Sequence, residues 1–337
     1  MPRPLGDLPL ARSAVDRDGA HRARADLFDE LLAEDATRVL PLWNGRVLVR
    51  DVPAGADSAS PSTRLTLFRT DEVTSALTRV YLGRTLTASD DEPAGTPVIL
   101  AVLTDAAAGE LQPDEQRWRG LRELATTLGD RDAGLVTESV AIANWHASHT
   151  HCPRCGTPTV VEQGGWMRRC FVDNNEIFPR TDPAVIVRVL DDQNRILLGS
   201  NALWENNRWS LLAGFVEAGE SFEAAAAREV AEESGVVVVD PVYLGSQPWP
   251  FPASIMIGME ARAVPGSTQL QPDGEEILAL RWFSRDDIWA ERDDILLPGG
   301  SSIAHEIVRD WYGGPLDEPP PAAGTQASAG EPRTDAV

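Results

Sequence analysis

Along the chain the spacing of apolar positions switches between helical and strand periods, and the switches mark out the elements. Residues 25–36 carry leucines at helical intervals in an acidic stretch and predict a helix. Two runs of β-formers, 39–43 and 46–50, flank Asn44-Gly45, a pair that tolerates positive φ at both positions, so a hairpin is predicted there. Polar runs at 53–62 and 88–97 read as loops between short strands at 64–69 and 98–104. From Asp114, the residues Trp118, Leu121, Ala125 and Leu128 recur at helical spacing with Gly129 as the stop, and a second helix is predicted from 137 to 145. This segment reads as a β-rich domain closed by helices, with no chemistry of its own.

Beyond residue 180 the pattern predicts strands at 183–190, 195–199, 208–213, 236–239, 254–263 and 277–283, with a helix at 221–234. In a last helix Ile303, Ile307, Val308 and Trp311 share one stripe. Mixed strands and helices of this kind imply an α+β or α/β sandwich. From Gly313 the chain is rich in Pro, Gly, Ala and Ser without periodicity, so a disordered tail is expected over 316–337.

Composition narrows the chemistry. The chain's 337 residues, enough for two or three domains, include 30 basic and 52 acidic ones, for a net charge of −22. Every basic residue is arginine, which excludes a lysine nucleophile, a Schiff base and a P-loop lysine. The bulk charge opposes broad nucleic-acid binding and requires a metal for any anionic substrate. No apolar run approaches the roughly 18–20 residues of a membrane helix, and the N-terminus lacks a secretory apolar core, so a cytoplasmic protein without membrane contact is expected. Cys152, Cys155 and Cys170, odd in number and clustered, argue for metal ligation over disulfides.

The richest stretch is 214–236. Ser221 suits the N-cap, Glu223 the first turn and Gly235 the C-terminal stop. At about 100° per residue, Glu232 falls about 60° to one side of Glu229 and Glu233 about 40° to the other. Three carboxylates thus share a face on which Arg228 offsets only one. Alone, they would read as a solvated acidic face; a hard divalent cation such as Mg²⁺ would relieve their repulsion. They are not alone, because Gly214, Glu220, Arg228, Glu229, Val230, Glu232, Glu233, Gly235 and Val236 fill every specified position of Gx5Ex7REUxEExGU, where U is aliphatic. Here the chain resembles the Nudix hydrolases, which cleave nucleoside diphosphates linked to another moiety using Mg²⁺ or Mn²⁺. The resemblance implies a Nudix α/β/α sandwich. It also implies Glu229, Glu233 and the Ala213 carbonyl as metal ligands, with Glu232 as third ligand or as base for the water. Gly214, Glu220, Arg228 and Gly235 are implied as structural positions, Glu220 pairing with Arg228.

Downstream lies Ser246-Gln247-Pro248-Trp249-Pro250-Phe251-Pro252-Ala253-Ser254. Its alternating prolines make a stiff extended segment that a central strand would not admit. Trp249, Phe251 and Gln247 can then form a preorganised wall for a base or nicotinamide, or the rings can seal a core or a subunit interface. The segment resembles the NADH pyrophosphatase subfamily. That resemblance implies hydrolysis of NAD(H) and related dinucleotides to NMN(H) and AMP, in some members removal of NAD caps from RNA, and a homodimer. It places substrate contacts at 247–254, Phe215, Ala304 and, in the WRGLREL segment, Arg122. Glu276 falls where the subfamily has another metal-binding glutamate, with Glu275 one residue of slip away.

The cysteines read CxxC-x14-CxxD from Cys152 to Asp173. The subfamily carries a four-cysteine zinc site here, so Asp173 stands at the fourth position, with His149 and His151 as alternatives and a redox or metal-free CxxC as other readings. Any zinc would be structural. Arg154, Arg168, Arg169 and Arg180 give this segment a charge of +1, with Arg168-Arg169 read as a solvated pair. The expected domains are 1–145 (β-rich, NADH pyrophosphatase-like), 146–179 (zinc ribbon), 180–315 (Nudix) and the tail. The competing function is an NAD- or RNA-binding regulator that keeps the fold without catalysis.

Overall fold

The structure, a computed structural model, describes residues 5–6, 8–52, 62–89 and 92–321. Most of the loop expected at 53–62, part of that at 88–97 and the tail from 322 lie outside the described residues. Two compact units divide the chain: Asp7–Pro183 with Ser246–Met256, and Ala184–Gly245 with Met1–Gly6 and Ile257–Val337.

In the first unit Asn44 and Gly45 take φ of 49° and 72°, and the hairpin they turn pairs Leu42 with Val47 and Trp43 with Arg46. Around it an eight-stranded sheet runs in the order Val15–Asp16, Thr78–Thr85, Pro97–Val102, Arg38–Trp43, Arg46–Asp51, Thr63–Leu65. Phe68–Arg69 and Trp118–Gly120 pair with the two hairpin strands. The helix Asp130–Ser148 lays Val136, Val140 and Trp145 against Leu40, Leu42, Val80 and Leu100. The first helix is shorter than expected, Leu27–Ala33.

No single helix spans 114–128. Glu115–Arg117 is a 3-10 turn, Trp118–Gly120 joins the sheet edge at Arg46–Asp51, and only Leu121–Leu124 is α-helical. Trp118, Leu121, Ala125 and Leu128 are all buried, so the periodic pattern reported burial correctly, but pairing with the hairpin overrode helix propagation. Gly129 is extended and opens the next helix instead of ending one, so that helix begins at Asp130, well before 137. The ribbon is three short antiparallel strands, Val160–Glu162, Met167–Arg169 and Glu176–Ile177. Arg168 and Arg169 are not a solvated pair: Arg168 is buried on Thr159 and the His146 ring, and Arg169 holds Glu162 and Glu176.

The second unit is built on a six-stranded sheet ordered Val238–Trp249, Ser254–Ala263, Asp182–Leu190, Ile196–Asn201, Ile277–Phe283, with Leu212–Phe215 also paired to Asp182–Leu190. The strand expected at 208–213 is displaced to Leu212–Phe215; Ser210 exchanges only a pair of backbone hydrogen bonds with Gly199. The strand expected at 236–239 runs from Val238 to Trp249, and its prolines are tolerated because it ends the sheet order. Helices are Phe222–Ser234, Arg285–Ala290 and Ile303–Tyr312, the last burying Ile303, Ile307, Val308 and Trp311. Among the described residues no helix is long and apolar enough to cross a membrane.

Candidate active site

Ser221 caps Phe222–Ser234 by accepting the Ala224 N–H, and Gly235 ends it at φ 71°. Ala226, Val230 and Glu233 fall on the buried side and Glu232 on the exposed one. Arg228 ties helix to loop with all five of its N–H donors. Nε and Nη2 grip the two Glu220 oxygens at 2.9 Å each, Nη1 reaches Glu229 and Glu232 at 2.9 Å, and Nη2 also donates to the Phe215 carbonyl at 3.0 Å. A lysine, with three donors on one point, could not reproduce this fork. Arg228 holds the Glu220 carboxyl below its usual range, and the Glu217 N–H closes the loop on the same carboxylate. A Cβ at Gly214 would fall inside the Glu229 carboxylate, so any side chain there would push that carboxylate out of its place on the Arg228 fork.

Glu233 is buried and its Oε2 has no hydrogen-bond partner. Burial first, then Glu229, Glu276 and Asp273, push its carboxyl up to about 8. Glu229 is likewise raised, chiefly by burial. An all-oxygen donor set with an orphaned buried carboxylate oxygen fits a hard divalent cation. Glu276, and not Glu275, is the glutamate whose charge Glu233 feels, and its Oε1 accepts from Asn201 Nδ2 at 3.4 Å.

Asp273 was not among the residues singled out by sequence. Its Oδ1 accepts the backbone N–H of Glu275, Glu276 and Ile277 at 2.8, 2.9 and 2.9 Å, which fixes the turn that presents Glu276. The Asp273-Gly274 pair was the available signal, since aspartate caps turns and Gly274 takes φ 79°. Asp273→Ala is expected to raise the Mn²⁺ concentration for half-maximal activity by about 10–100-fold, the usual cost of a lost outer partner. A Mn²⁺ titration at saturating substrate checks it.

The remaining candidates are dispersed. Phe215 is exposed beside the Arg228 fork, whereas Ala304 is buried in the stripe of the last helix. Gln247 does not face outward: it is wholly buried, and its Oε1 accepts the Leu10 N–H at 3.3 Å. Trp249 and Phe251 meet edge to face at 5.0 Å, and the Arg122 guanidinium lies 5.1 Å and 4.2 Å from their centroids. Asn144 Nδ2 donates to the carbonyls of Pro250 and Pro252, fixing the segment, in which Pro248 and Ala253 are half-buried and Ser254 begins a strand.

In the ribbon, ligand atoms of Cys152, Cys155, Cys170 and Asp173 lie within 4.8 Å of one another. Cys152 Sγ is 3.3 Å from Asp173 Oδ2 and Cys155 Sγ is 3.5 Å from Cys170 Sγ. Ligands on a tetrahedron of about 2.3 Å Zn–S bonds would stand about 3.8 Å apart, so the set fits structural zinc. His149 instead stacks on Trp145, and His151 hydrogen-bonds Thr150.

Three family models match in chain order: an NADH pyrophosphatase-like rudimentary NUDIX domain over residues 36–145, an NADH pyrophosphatase zinc ribbon domain over 147–178, and a NUDIX domain over 180–300. Over 327 residues the chain is 36% identical to the NAD-capped RNA hydrolase NudC of Mycobacterium tuberculosis H37Rv, covering 91% of this chain and 96% of the relative. It is 37% identical over 198 residues to the human NAD-capped RNA hydrolase NUDT12, covering 55% of this chain and 42% of that protein. With its parts matched in order and its likeness to a bacterial relative extending along nearly the whole of both chains, the protein belongs to the NADH pyrophosphatase subfamily of the Nudix hydrolases.

Proposed function

We propose that the protein hydrolyses the pyrophosphate of NAD(H) to NMN(H) and AMP, and removes NAD caps from RNA by the same cleavage. The observation that carries this is the buried Glu233 carboxylate with its orphaned oxygen, which shares with Glu229 a helix locked by Arg228 and feels the charge of Glu276 on the Asp273 turn. Glu229, Glu233, Glu276 and the Ala213 carbonyl would hold Mg²⁺ or Mn²⁺. Bound there, the ion would supply neutralisation of the pyrophosphate charge and acidification of a water. Glu232, outward-facing and bonded to Arg228 Nη1, would serve as a third ligand or take the proton of the attacking water on its carboxylate. Trp249 and Phe251, pinned by Arg122 and Asn144, supply ring faces for a base or nicotinamide, while Gln247 positions the segment from inside. The relatives' action on NAD-capped RNA supports the second substrate. At a net charge of −22, such an RNA would be held by its NAD end more than by its phosphates. The family resemblance supports a cytoplasmic homodimer, with 1–145, 146–179 and 180–315 as its domains. Zinc-loaded protein incubated with NADH or NAD⁺ and Mg²⁺ or Mn²⁺ should yield AMP with NMNH or NMN. Tight binding without products would instead favour a nucleotide-binding regulator.

A further inference from the structure

Residues 201–211 join two strands that both touch the carboxylate site: Ile196–Asn201, whose last residue meets Glu276, and Leu212–Phe215, which bears the Ala213 carbonyl. Asn201 Nδ2 donates to Glu276 Oε1 at 3.4 Å, and the Ala202 N–H donates to the Glu276 carbonyl at 2.8 Å. Asn201 also closes a turn, its Oδ1 accepting the Leu203 N–H at 2.9 Å and its carbonyl the Trp204 N–H at 3.1 Å. At the far end Leu296 bonds the backbone of Asn207 and Trp209, and the Trp209 ring turns inward onto Phe283. The stretch between is thus anchored at both ends, yet its two apolar residues face solvent, Leu203 92% exposed and Trp204 40%. Lone exposed apolar residues are ordinary; an adjacent leucine and tryptophan on a loop tied to a metal-site glutamate offer a surface to whatever the site acts on.

Charge narrows the partner. Arg208 is the one basic residue of 201–211, and Glu205 takes its Nε at 3.1 Å. Across from the loop's start, the turn that presents Glu276 adds Asp273 and Glu275. Among these residues a phosphate finds only one arginine, already committed, against four carboxylates. A nucleic-acid chain would therefore be held here through its bases, which stack on an aromatic face whatever their sequence. We propose that Trp204, together with Leu203, is a stacking platform for the first base beyond the NAD end of a capped RNA. The proposal rests on the NAD-cap reading above and deepens it. The carboxylates act on the pyrophosphate, and the 203–204 tip favours RNA-linked NAD over the free dinucleotide. A contact made by stacking and not by ion pairing is insensitive to salt.

The test compares kcat/KM for NAD⁺ and for a short unstructured NAD-capped oligoribonucleotide, using full-length zinc-loaded protein with Mn²⁺ at low and high salt. Trp204→Ala should lower the capped-RNA value about five- to a hundredfold, the worth of one stacked base. The factor should be similar at both salts, and the NAD⁺ value should move less than twofold. Trp204→Phe should recover most of the loss, and Leu203→Ser should show a smaller one. Melting temperatures should match the parent's, since both side chains are exposed. Equal losses on both substrates place Trp204 on the dinucleotide or behind Glu276, and unchanged rates on both mean that RNA does not touch it. A loss confined to low salt assigns the contact to phosphates. A changed oligomeric state of Trp204→Ala by light scattering marks the tip as a subunit contact. Each of these overturns the platform. If the parent turns over neither substrate, the diphosphatase reading fails by itself, and binding without added Mg²⁺ or Mn²⁺ decides the platform. The parent should then hold capped RNA more tightly than NAD⁺ and Trp204→Ala should erase that difference; a parent without the difference, or a variant that keeps it, overturns the platform as well.

Discussion

Glu233→Gln is expected to lower kcat for NADH at saturating Mn²⁺ by about 10²–10⁴-fold, since an oriented metal contributes several kcal/mol and each 1.36 kcal/mol is tenfold. The same change should leave the melting temperature of the metal-free protein unaltered or higher. Both signs follow from the geometry. Glu233 is buried, one of its oxygens lacks a partner, and Glu229, Glu276 and Asp273 all raise its carboxyl. A neutral amide of the same shape removes that repulsion, so the fold loses nothing, but the cation loses its most buried ligand. Mn²⁺ should raise the melting temperature of the parent protein by mass action and have little effect on the variant. Kinetics with NADH, paired with thermal melts with and without Mn²⁺, read both halves. Turnover within tenfold of the parent would remove Glu233 from the metal site.

The parts of this arrangement differ in how far sequence alone reveals them, and the difference is locality. Phe222–Ser234 is legible almost to the residue because cap, alanine run and Gly235 act within a turn or two of their own position. Ser254–Ala263 and Ile277–Phe283 likewise match the bounds their alternation predicts. Residues 114–129 are not legible, because a strand followed by a turn of helix can bury Trp118, Leu121, Ala125 and Leu128 as well as one helix can. What decides is the edge offered by Arg46–Asp51, which lies far off in sequence. Gln247 turns inward for the same reason, since its partner Leu10 is 237 positions away. Composition also hides the rudimentary NUDIX character of 36–145, a segment without a carboxylate helix to announce it.

Cys170→Ala is expected to release zinc and lower the melting temperature by about 8–16 °C, taking roughly 4 kcal/mol for loss of a metal site and about 2–4 °C per kcal/mol in a unit of this size. Beyond the Arg168 and Arg169 side-chain bonds, the knuckle end of the ribbon has little apolar packing to hold it. Its strands are two or three residues long, and Phe171, Val172 and Phe178 face outward while Cys152, Met167 and Cys170 are buried. The sulfurs therefore take the place of an apolar core, the situation in which a small motif depends on metal. Asp173 behaves differently from the thiols. Its Oδ1 accepts the Asn175 N–H at 3.0 Å while Oδ2 faces Cys152 Sγ, so one carboxylate both caps the knuckle turn and completes the ligand set. Asp173→Ala should keep zinc on three thiolates with water in the fourth position, and release it to a chelator faster than the parent. Asp173→Cys should restore four thiolates and slow release below the parent rate, at the cost of the cap. Zinc content by mass spectrometry, release followed with a chromogenic chelator, and thermal melts separate the three variants. Stoichiometric zinc in Cys170→Ala, or Asp173→Ala releasing at the parent rate, would take Cys170 or Asp173, respectively, out of the site.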